Sequence, residues 1–310
     1  MQPHPYYQAI IDLNREAGRP FFHQMEPEEA REQLRATLAL APIPPDLPDL
    51  KSVEDRSFEG PNGAIPVRVY APHDALGGTL VYFHSGGWVI GDLASGDNTC
   101  RRLAGKARCT VVSVEYGKAP ELPYPGPLDD AWAALLWARA EFGGPLVVGG
   151  ESAGGNLAAA CAIRAREEGG PALAGQWLVY PVTDHDFETG SYRSVGDRNW
   201  LLSTADMRWF WDHYCPAGVD RSGPLLSPLR IADASGLPAA MVVVGQLDPL
   251  RDEGLAYAAK LAIAGVAVTT RCDPAMIHGY LAAAASIPAA AEAVGESARW
   301  IRARLDAAKV

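Results

Sequence analysis

A single pentapeptide, Gly150–Gly154 (GESAG), constrains the fold of this chain more than any other stretch. It has the pattern G-x-S-x-G, follows an apolar run at 146–148 (LVV) and precedes a small-residue segment at 156–160 (NLAAA). This order predicts a strand, a sharp turn and a helix. A side chain at either flanking glycine would collide with the neighbouring strand or helix. The turn would lift the Ser152 hydroxyl above a sheet and leave the Ala153 amide at a helix N-terminus, where it stabilises developing negative charge.

Length and charge exclude several classes of protein. With 310 residues the chain is long enough for one large α/β domain or two modest ones. Its net charge of −10 argues against nucleic acid and anionic membrane surfaces as partners, because both attract basic proteins. The sequence contains no run of about 18 apolar residues, so no membrane-spanning helix is expected. The first residues (MQPHPYY) do not have the pattern of a signal peptide, so none is expected.

The 5 cysteines are scattered along the chain and lack C-x-x-C spacing. This pattern is typical of reduced thiols and not of a disulfide framework or a zinc site. We therefore expect a cytoplasmic protein without a metal centre.

The residue pattern predicts a helical extension followed by a sheet. Residues 1–50 contain two segments of helical spacing, 8–16 and 27–40, and a proline-rich connector at 41–48. From residue 51 onwards, β-branched runs alternate with helical segments, which favours a mainly parallel sheet with helices on both faces. The first two runs are separated by a hairpin signal, Gly60–Gly63. The predicted strands are Val53–Phe58, Ile65–Tyr70, Leu80–Phe83, Val111–Tyr116, Leu146–Val148, Trp177–Tyr180, Met241–Val244 and Val266–Arg271.

Residues 183–222 interrupt this alternation and are rich in charged and aromatic side chains. Ser203 with Asp206 predicts a capping box that opens a helix. Two interpretations fit the broad apolar face of that helix, namely packing against the core or a roof over a substrate pocket. This face comprises Met207, Phe210, Trp211 and Tyr214. We divide the chain into an N-terminal extension, a first part of the core, an insertion and a second part of the core, at 1–50, 51–182, 183–222 and 223–310.

An activated serine requires a base, and the base requires an orienting acid. Of 7 histidines, only His84 and His278 come just after predicted core strands, where enzymes with parallel sheets place their sites. His278 follows the last strand and is the better base. In α/β-hydrolases the chain order is nucleophile, acid, histidine, with the acid after the seventh strand. Asp248 occupies that place, whereas Asp252 is predicted to open the next helix.

The segment 84–88 (HSGGW) follows the third strand. A glycine pair at this point allows two backbone N–H groups, those of Gly86 and Gly87, to point into one cavity, as a tetrahedral oxyanion requires. We expect His84 to brace this loop without transferring protons.

Several motifs together resemble those of the hormone-sensitive-lipase-like family of bacterial carboxylesterases, which has the α/β-hydrolase fold. Segment 84–88 is similar to the family's H-G-G-G-[FW], and 150–155 (GESAGG) to its G-D-S-A-G-G. Segment 115–121 (EYGKAPE) is similar to D-Y-R-L-A-P-E, and 180–183 (YPVT) and 248–254 (DPLRDEG) also match. The matches run in the expected order from about residue 50 to 280. The resemblance implies a helical cap made from the extension and the insertion.

Carried over to this sequence, the family's nucleophile, acid and base are Ser152, Asp248 and His278. Its oxyanion donors are the backbone N–H groups of Gly86, Gly87 and Ala153. The resemblance implies hydrolysis of small, short-acyl carboxylic esters through an acyl-enzyme on Ser152, without a cofactor. The aromatic residues expected to line the pocket are Trp88, Tyr180, Trp200, Phe210 and Trp211.

The sequence departs from the family's motifs at three places. Ser85 replaces the first glycine of the triplet, which disfavours positive φ there and adds a hydroxyl near the pocket. Glu151 replaces an aspartate, so it keeps the charge and lengthens the reach. Gly117 and Lys118 replace Arg-Leu, which puts any loop contact of that arginine in doubt.

Alternatives to the esterase remain open at the level of sequence. The same triad cleaves amides or activated lactones in other enzymes, since its geometry does not select the leaving group. Some proteins of this fold bind a small ligand without catalysis, although here the serine, aspartate and histidine positions are all filled. Family members often form homodimers, but no exposed stripe in the sequence predicts an interface.

Overall fold

An eight-stranded sheet forms the centre of the molecule in a computed structural model that describes residues 1–40 and 43–309. The strands are β1 (Ser52–Gly60), β2 (Gly63–Ala71), β3 (Thr79–Phe83), β4 (Thr110–Val114), β5 (Leu146–Glu151), β6 (Leu173–Val179), β7 (Ala240–Gly245) and β8 (Val268–Asp273). Their spatial order is β1-β2-β4-β3-β5-β6-β7-β8. Only the β1–β2 and β2–β4 pairs are antiparallel, so the prediction of a mainly parallel sheet is confirmed.

Helices cover both faces of the sheet. The α-helices are α1 (Pro5–Glu16), α2 (Pro27–Leu40), α3 (Asp97–Ala107), α4 (Gly126–Phe142), α5 (Ala153–Glu167), α6 (Gly190–Val195), α7 (Thr204–Tyr214), α8 (Arg251–Ile263) and α9 (Pro288–Ala307). Short 3-10 turns lie at Phe22–Gln24, Pro228–Arg230 and Tyr280–Ala283. Helices α4, α5 and α8 pack on one face, and α3 and α9 pack on the other.

This two-sided burial explains why the central strands β3, β5 and β7 are buried along their whole length and are mainly apolar. In β3, Val81 and Phe83 belong to one hydrophobic layer, while Leu80 and Tyr82 belong to the other. Successive side chains of a strand point to opposite faces, and here both faces are covered, so both sets are buried. The runs of β-branched residues were therefore reliable markers of the strands.

The eight predicted strands are all present, and their ends differ by a few residues. The hairpin is also confirmed, with Gly60 paired to Gly63. The first helix begins at Pro5, three residues before the predicted start at Gln8, because Pro at a first helical position is already in helical φ and the His4 side chain caps the helix. Ala41 and Pro42, at the start of the predicted connector, lie outside the described residues.

The N-terminal extension packs against the insertion. The backbone N–H of His23 donates to Asp206 Oδ1 at 3.0 Å, and its ring Nδ1 lies 2.8 Å from the same oxygen. Asp206 also closes the predicted capping box with Ser203 at the start of α7. The rings of Phe22 and Phe210 lie 5.6 Å apart. These contacts join the two segments that the sequence marked as unlike the core. Among the described residues, no helix has the length and apolar character needed to cross a bilayer.

Candidate active site

Ser152 occupies the turn between β5 and α5 in a strained conformation, with φ of 58° and ψ of −119°. Its backbone is held by three hydrogen bonds: Ser152 N–H donates to Val179 O at 2.9 Å, and Ser152 O accepts the N–H groups of Asn156 at 3.0 Å and Val182 at 3.2 Å. A left-handed φ in a residue other than glycine persists only where its surroundings impose it. The predicted sharp turn is therefore present, and it displays the serine side chain at the carboxyl end of the sheet.

Close packing around this turn requires both flanking glycines. A Cβ atom on Gly150 would lie 2.4 Å from the backbone of Gly154. A Cβ atom on Gly154 would lie 2.0 Å from the carbonyl oxygen of Phe83, at the end of β3. Neither position has room for a side chain, which confirms the steric reason for the G-x-S-x-G pattern.

The structure brings Ser152, His278 and Asp248 into one chain of hydrogen bonds. His278 Nε2 lies 2.9 Å from Ser152 Oγ, and His278 Nδ1 lies 2.8 Å from Asp248 Oδ2. Because an ionised carboxylate only accepts, Nδ1 carries the proton, and Nε2 is left to accept from the serine hydroxyl. Asp248 is fully buried, and its other oxygen accepts the N–H of Leu250 at 2.8 Å. Asp252 instead lies in the first turn of α8, as predicted.

The loop after β3 turns sharply through three successive residues with positive φ: Gly86 at 126°, Gly87 at 56° and Trp88 at 62°. The carbonyl of Gly86 accepts the N–H groups of Val89 and Ile90 at 3.0 and 2.9 Å, which closes the turn. Within residues 1–40 and 43–309, the N–H groups of Gly86, Gly87 and Ala153 have no protein acceptor. They are available as donors to an external oxygen.

The departure at Ser85 carries no backbone strain. The left-handed stretch of this loop begins one residue later, at Gly86, so the family's first glycine is not needed for conformational freedom here. Ser85 does not adopt positive φ, in agreement with the expectation that serine disfavours it there.

His84 is fully buried behind the same loop and braces it. Its Nδ1 lies 2.7 Å from the carbonyl oxygen of Ser85, and its ring stacks on Tyr116 with centroids 4.3 Å apart. Burial lowers the pKa of His84 from 6.5 to about 4, so the ring is neutral at pH 7 and donates Nδ1–H to that carbonyl. This arrangement is the bracing role expected from the sequence.

The predicted pocket residues fall into separate groups. Trp88 stacks on Tyr214 of α7 with centroids 4.2 Å apart and meets Trp211 edge-on at 5.0 Å. Phe210 of the same helix packs directly on the loop 84–88: a Cβ atom on Gly87 would lie 2.1 Å from the Phe210 ring. These aromatic residues join the loop to the insertion.

The other two aromatic candidates lie in the second hydrophobic layer. The ring of Tyr180 is 4.7 Å from the ring of His278. Trp200 is partly buried, with the guanidinium of Arg198 at 6.0 Å from its ring. The structure therefore places Tyr180 against the histidine and leaves Trp200 outside the aromatic group around Trp88.

Sequence reasoning missed the residues that anchor the insertion. The amide of Asn156, on α5, donates to Val182 O at 3.0 Å and to Leu226 O at 2.8 Å, on either side of the insertion. Glu253 Oε1 accepts the N–H groups of Thr183 at 2.7 Å and Asp184 at 3.3 Å. Burial raises the pKa of Glu253 well above its usual range. Glu253 lies within the motif 248–254 and Asn156 directly follows the motif 150–155, but the spacing of these motifs does not indicate which backbone groups the two side chains bind.

Among the described residues, no three His, Cys, Asp or Glu side chains cluster in a way that could hold a metal ion. The chemistry that the site offers is that of a hydroxyl, an imidazole and a buried carboxylate beside backbone N–H donors. This set suits attack on a carbonyl carbon.

Comparison with known proteins agrees with this geometry. The sequence profile of the alpha/beta hydrolase fold matches residues 80–282. The carboxylic ester hydrolase LipN of Mycobacterium tuberculosis is 44% identical over 243 residues, which cover 74% of this chain and 64% of LipN. The carboxylesterase NlhH of the same organism is 42% identical over 292 residues, which cover 89% of this chain and 90% of NlhH.

A solved structure gives the same result. The ester hydrolase EH1AB1 from the metagenome of Lake Arreo, in complex with a derivative of bipyridine phosphonate, is 37% identical. It superposes with a TM-score of 0.91, and the match covers 99% of this chain and 100% of the EH1AB1 chain. The chain therefore belongs to the α/β-hydrolase fold family and, within it, to the hormone-sensitive-lipase-like carboxylesterases whose motifs it carries.

Proposed function

We propose that this protein is a serine carboxylesterase that hydrolyses small, short-acyl carboxylic esters. The observation that carries the proposal is the hydrogen-bonded chain from Ser152 Oγ through His278 to the buried Asp248, set on a strained strand-to-helix turn. The names of the relatives, a carboxylic ester hydrolase and a carboxylesterase, support the reaction class.

In the first half of the reaction His278 acts as a base. Its Nε2 takes the proton of the Ser152 hydroxyl while Oγ attacks the ester carbonyl carbon. The carbonyl oxygen becomes an oxyanion, which accepts hydrogen bonds from the N–H groups of Gly86, Gly87 and Ala153. The carbon–oxygen bond to the alcohol then breaks, and the alcohol leaves with the proton that His278 returns.

In the second half water replaces the alcohol. His278 removes a proton from the water as its oxygen attacks the acyl-enzyme, and the same oxyanion donors stabilise the second tetrahedral intermediate. The ester bond to Ser152 breaks, the serine regains its proton, and the free acid departs. Asp248 stays ionised and stabilises the imidazolium in both halves.

The preference for short acyl groups follows from the cap. We propose that residues 1–50 and 183–222 form one lid over the site, which the contacts of His23 with Asp206 and of Phe22 with Phe210 support. Phe210 lies on the loop 84–88, which carries two of the proposed oxyanion donors, so space beside the reacting carbonyl is restricted. Trp88 and Trp211 would wall the same region.

The test is hydrolysis of p-nitrophenyl esters with two to sixteen acyl carbons by the wild type and by Ser152→Ala. We expect a short-chain optimum in the wild type and a loss of at least about 10³-fold in kcat for Ser152→Ala. A matched control is Ser113→Ala, which removes the hydroxyl of another buried serine, on β4. Full activity in Ser152→Ala, or a preference for long-chain emulsions, would contradict the proposal.

The leaving group and the cellular setting need separate measurements. Anilides that share an acyl group with the best ester would be cleaved at a comparable rate only by an amidase. We also propose a cytoplasmic location, which the free thiols of Cys100, Cys109 and Cys161 support, since all three are buried without a disulfide. The homodimer stays a prediction, and sedimentation of the purified protein tests it.

A further inference from the structure

Glu151 is a buried carboxylate directly before the serine, with 5% of its surface exposed. Two tyrosine hydroxyls donate to it: Tyr82 to Oε1 at 2.9 Å and Tyr180 to Oε2 at 2.5 Å. A buried carboxylate is costly unless its oxygens are hydrogen-bonded, and here each oxygen has a phenolic donor. At this position, where the family's motif has aspartate, the two carboxylate oxygens of Glu151 therefore bind two different tyrosines.

Titratable and polar groups from several elements surround this carboxylate. Burial raises the pKa of Glu151, and the hydrogen bonds from Tyr180, Tyr82 and Thr99 oppose that rise. Burial also raises the pKa of Tyr82 and of Tyr180 well above 10, so both hydroxyls keep their protons and act as donors. The groups whose charges act on Glu151 or respond to it are Tyr82 on β3, Cys100 on α3, Tyr180 after β6, Tyr7 on α1 and His278 after β8.

Tyr180 connects Glu151 to the histidine. Its ring is tilted by 57° against the imidazole of His278, with centroids 4.7 Å apart. Its backbone has a positive φ of 34°, and its N–H donates to Val243 O on β7 at 2.6 Å. The ring is thus fixed at both ends, by the sheet at its backbone and by Glu151 at its hydroxyl.

We propose that Glu151 is a positioning residue for the catalytic histidine, acting in two ways. Through Tyr180 it holds one face of the imidazole, and its negative charge stabilises the imidazolium that forms when Ser152 loses its proton. It touches neither substrate nor the reacting atoms. The inference rests on the proposed esterase, in which His278 is the base.

The test is the pH profile of kcat/KM in Glu151→Gln, which keeps the side-chain shape and removes the charge. Without a neighbouring negative charge the imidazolium is less stable and releases its proton at lower pH. We expect the midpoint of the acid limb to move down by about 0.5 pH unit or more. We expect kcat to fall about 10-fold with little change in KM, since only the charged intermediate state is affected.

Two further variants separate the effect of the negative charge of Glu151 from the effect of its side-chain length. Glu151→Asp keeps the charge but shortens the side chain, so its acid limb stays close to that of the wild type while kcat falls. Tyr180→Phe removes the hydroxyl that ties the ring to Glu151, and we expect a lower kcat at unchanged KM. The matched control is Asp130→Asn, which neutralises another buried carboxylate, on α4, bound to Asn62 and to the N–H of Gly117. Its acid limb should stay at the wild-type position.

The outcomes distinguish this inference from the proposed function. An unmoved acid limb in Glu151→Gln, with or without a fall in kcat, would show a structural role only and would overturn the inference. If Glu151→Gln fails to fold, a wild-type kcat in Tyr180→Phe overturns it instead. Persistent activity in Ser152→Ala would contradict the proposed function itself, whatever Glu151→Gln does.

Discussion

A methyl group at Gly87 would meet two obstacles at once. The residue has a φ of 56°, which side chains other than glycine rarely adopt, and its Cβ atom would lie 2.1 Å from the ring of Phe210. A rotation of the peptide that relieves the strained φ would also move an N–H group that is proposed to hold the oxyanion. Glycine is therefore required here by both conformation and packing.

We predict that Gly87→Ala lowers kcat/KM for a p-nitrophenyl acetate assay by about 10²–10³-fold, the typical effect of losing one oxyanion donor. The double variant Gly87→Ala/Phe210→Ala removes the clash and leaves the strained φ, so it should recover only part of the loss. Circular dichroism and thermal unfolding check that both variants are folded. A single variant with wild-type kcat/KM would show that this N–H is not a donor.

At the scale of elements, the side chain of Arg31 connects α2 to the loop that follows β3. Arg31 Nε donates to Val89 O at 2.8 Å, and its Nη2 donates to Ala119 O at 2.8 Å. The guanidinium also pairs with the carboxylate of Glu121 at 2.6 Å. Arg31 thus joins the N-terminal extension to two loops of the core, and one of them carries the proposed oxyanion donors.

We predict that Arg31→Ala lowers the free energy of unfolding by about 1–3 kcal/mol, because two carbonyls lose a charged donor. We also expect a lower kcat, since the loop at Val89 is less firmly held. Arg35→Ala is the control on the same helix. Its guanidinium is half exposed and, among the described residues, pairs with Glu28 alone, so a change within about 0.5 kcal/mol is expected. Denaturant unfolding and p-nitrophenyl acetate kinetics measure both. Equal effects of the two variants would refute a specific role for Arg31.

The local sequence pattern predicted the strands and the turn at the serine well. It predicted poorly the contacts between residues that lie far apart in the sequence. The strands follow from β-branched runs, and the need for glycine at Gly150 follows from sterics against Gly154, only four residues away. The links found in the structure span long separations, 58 residues between Arg31 and Val89 and 69 between Tyr82 and Glu151. Tyr82 lies in an apolar strand and is indistinguishable, in sequence, from an ordinary core aromatic. Such contacts depend on which strands become neighbours, and spacing along the chain does not contain that information.

At the scale of the whole molecule, buried ionisable groups set the pH dependence of stability. Burial lowers the pKa of His84 to about 4, below its ordinary value of 6.5. The unfolded chain therefore binds a proton at His84 below pH 6.5 that the folded protein does not bind until about pH 4, and stability is lost as pH falls through this window. Glu151 and Glu253 act in the opposite sense, because burial raises their pKa and the folded state holds their protons more tightly.

We predict that the free energy of unfolding of His84→Asn falls less than that of the wild type between pH 7 and pH 4. The difference should be on the order of 3 kcal/mol, from a pKa of about 4 in the folded state against 6.5 when unfolded. Asparagine can still donate to the carbonyl of Ser85, so the loop keeps its brace. Urea unfolding at a series of pH values measures this difference. Parallel curves for the two proteins would show that His84 does not contribute.

The side-chain amide of Asn156 fixes both ends of the insertion. Its side-chain nitrogen, on α5, donates to the carbonyl of Val182 just before the insertion and to that of Leu226 just after it. The chain therefore leaves the core and returns to it at the same place. The segment between those two carbonyls leaves the core and returns to it, and Asn156 holds both of its ends. The two ends of the insertion are therefore held by the core, while its interior reaches the loop after β3 through Phe210. An insertion of different sequence would keep these two attachment points but would have to replace the contacts that Phe210 and Tyr214 make with Gly87 and Trp88.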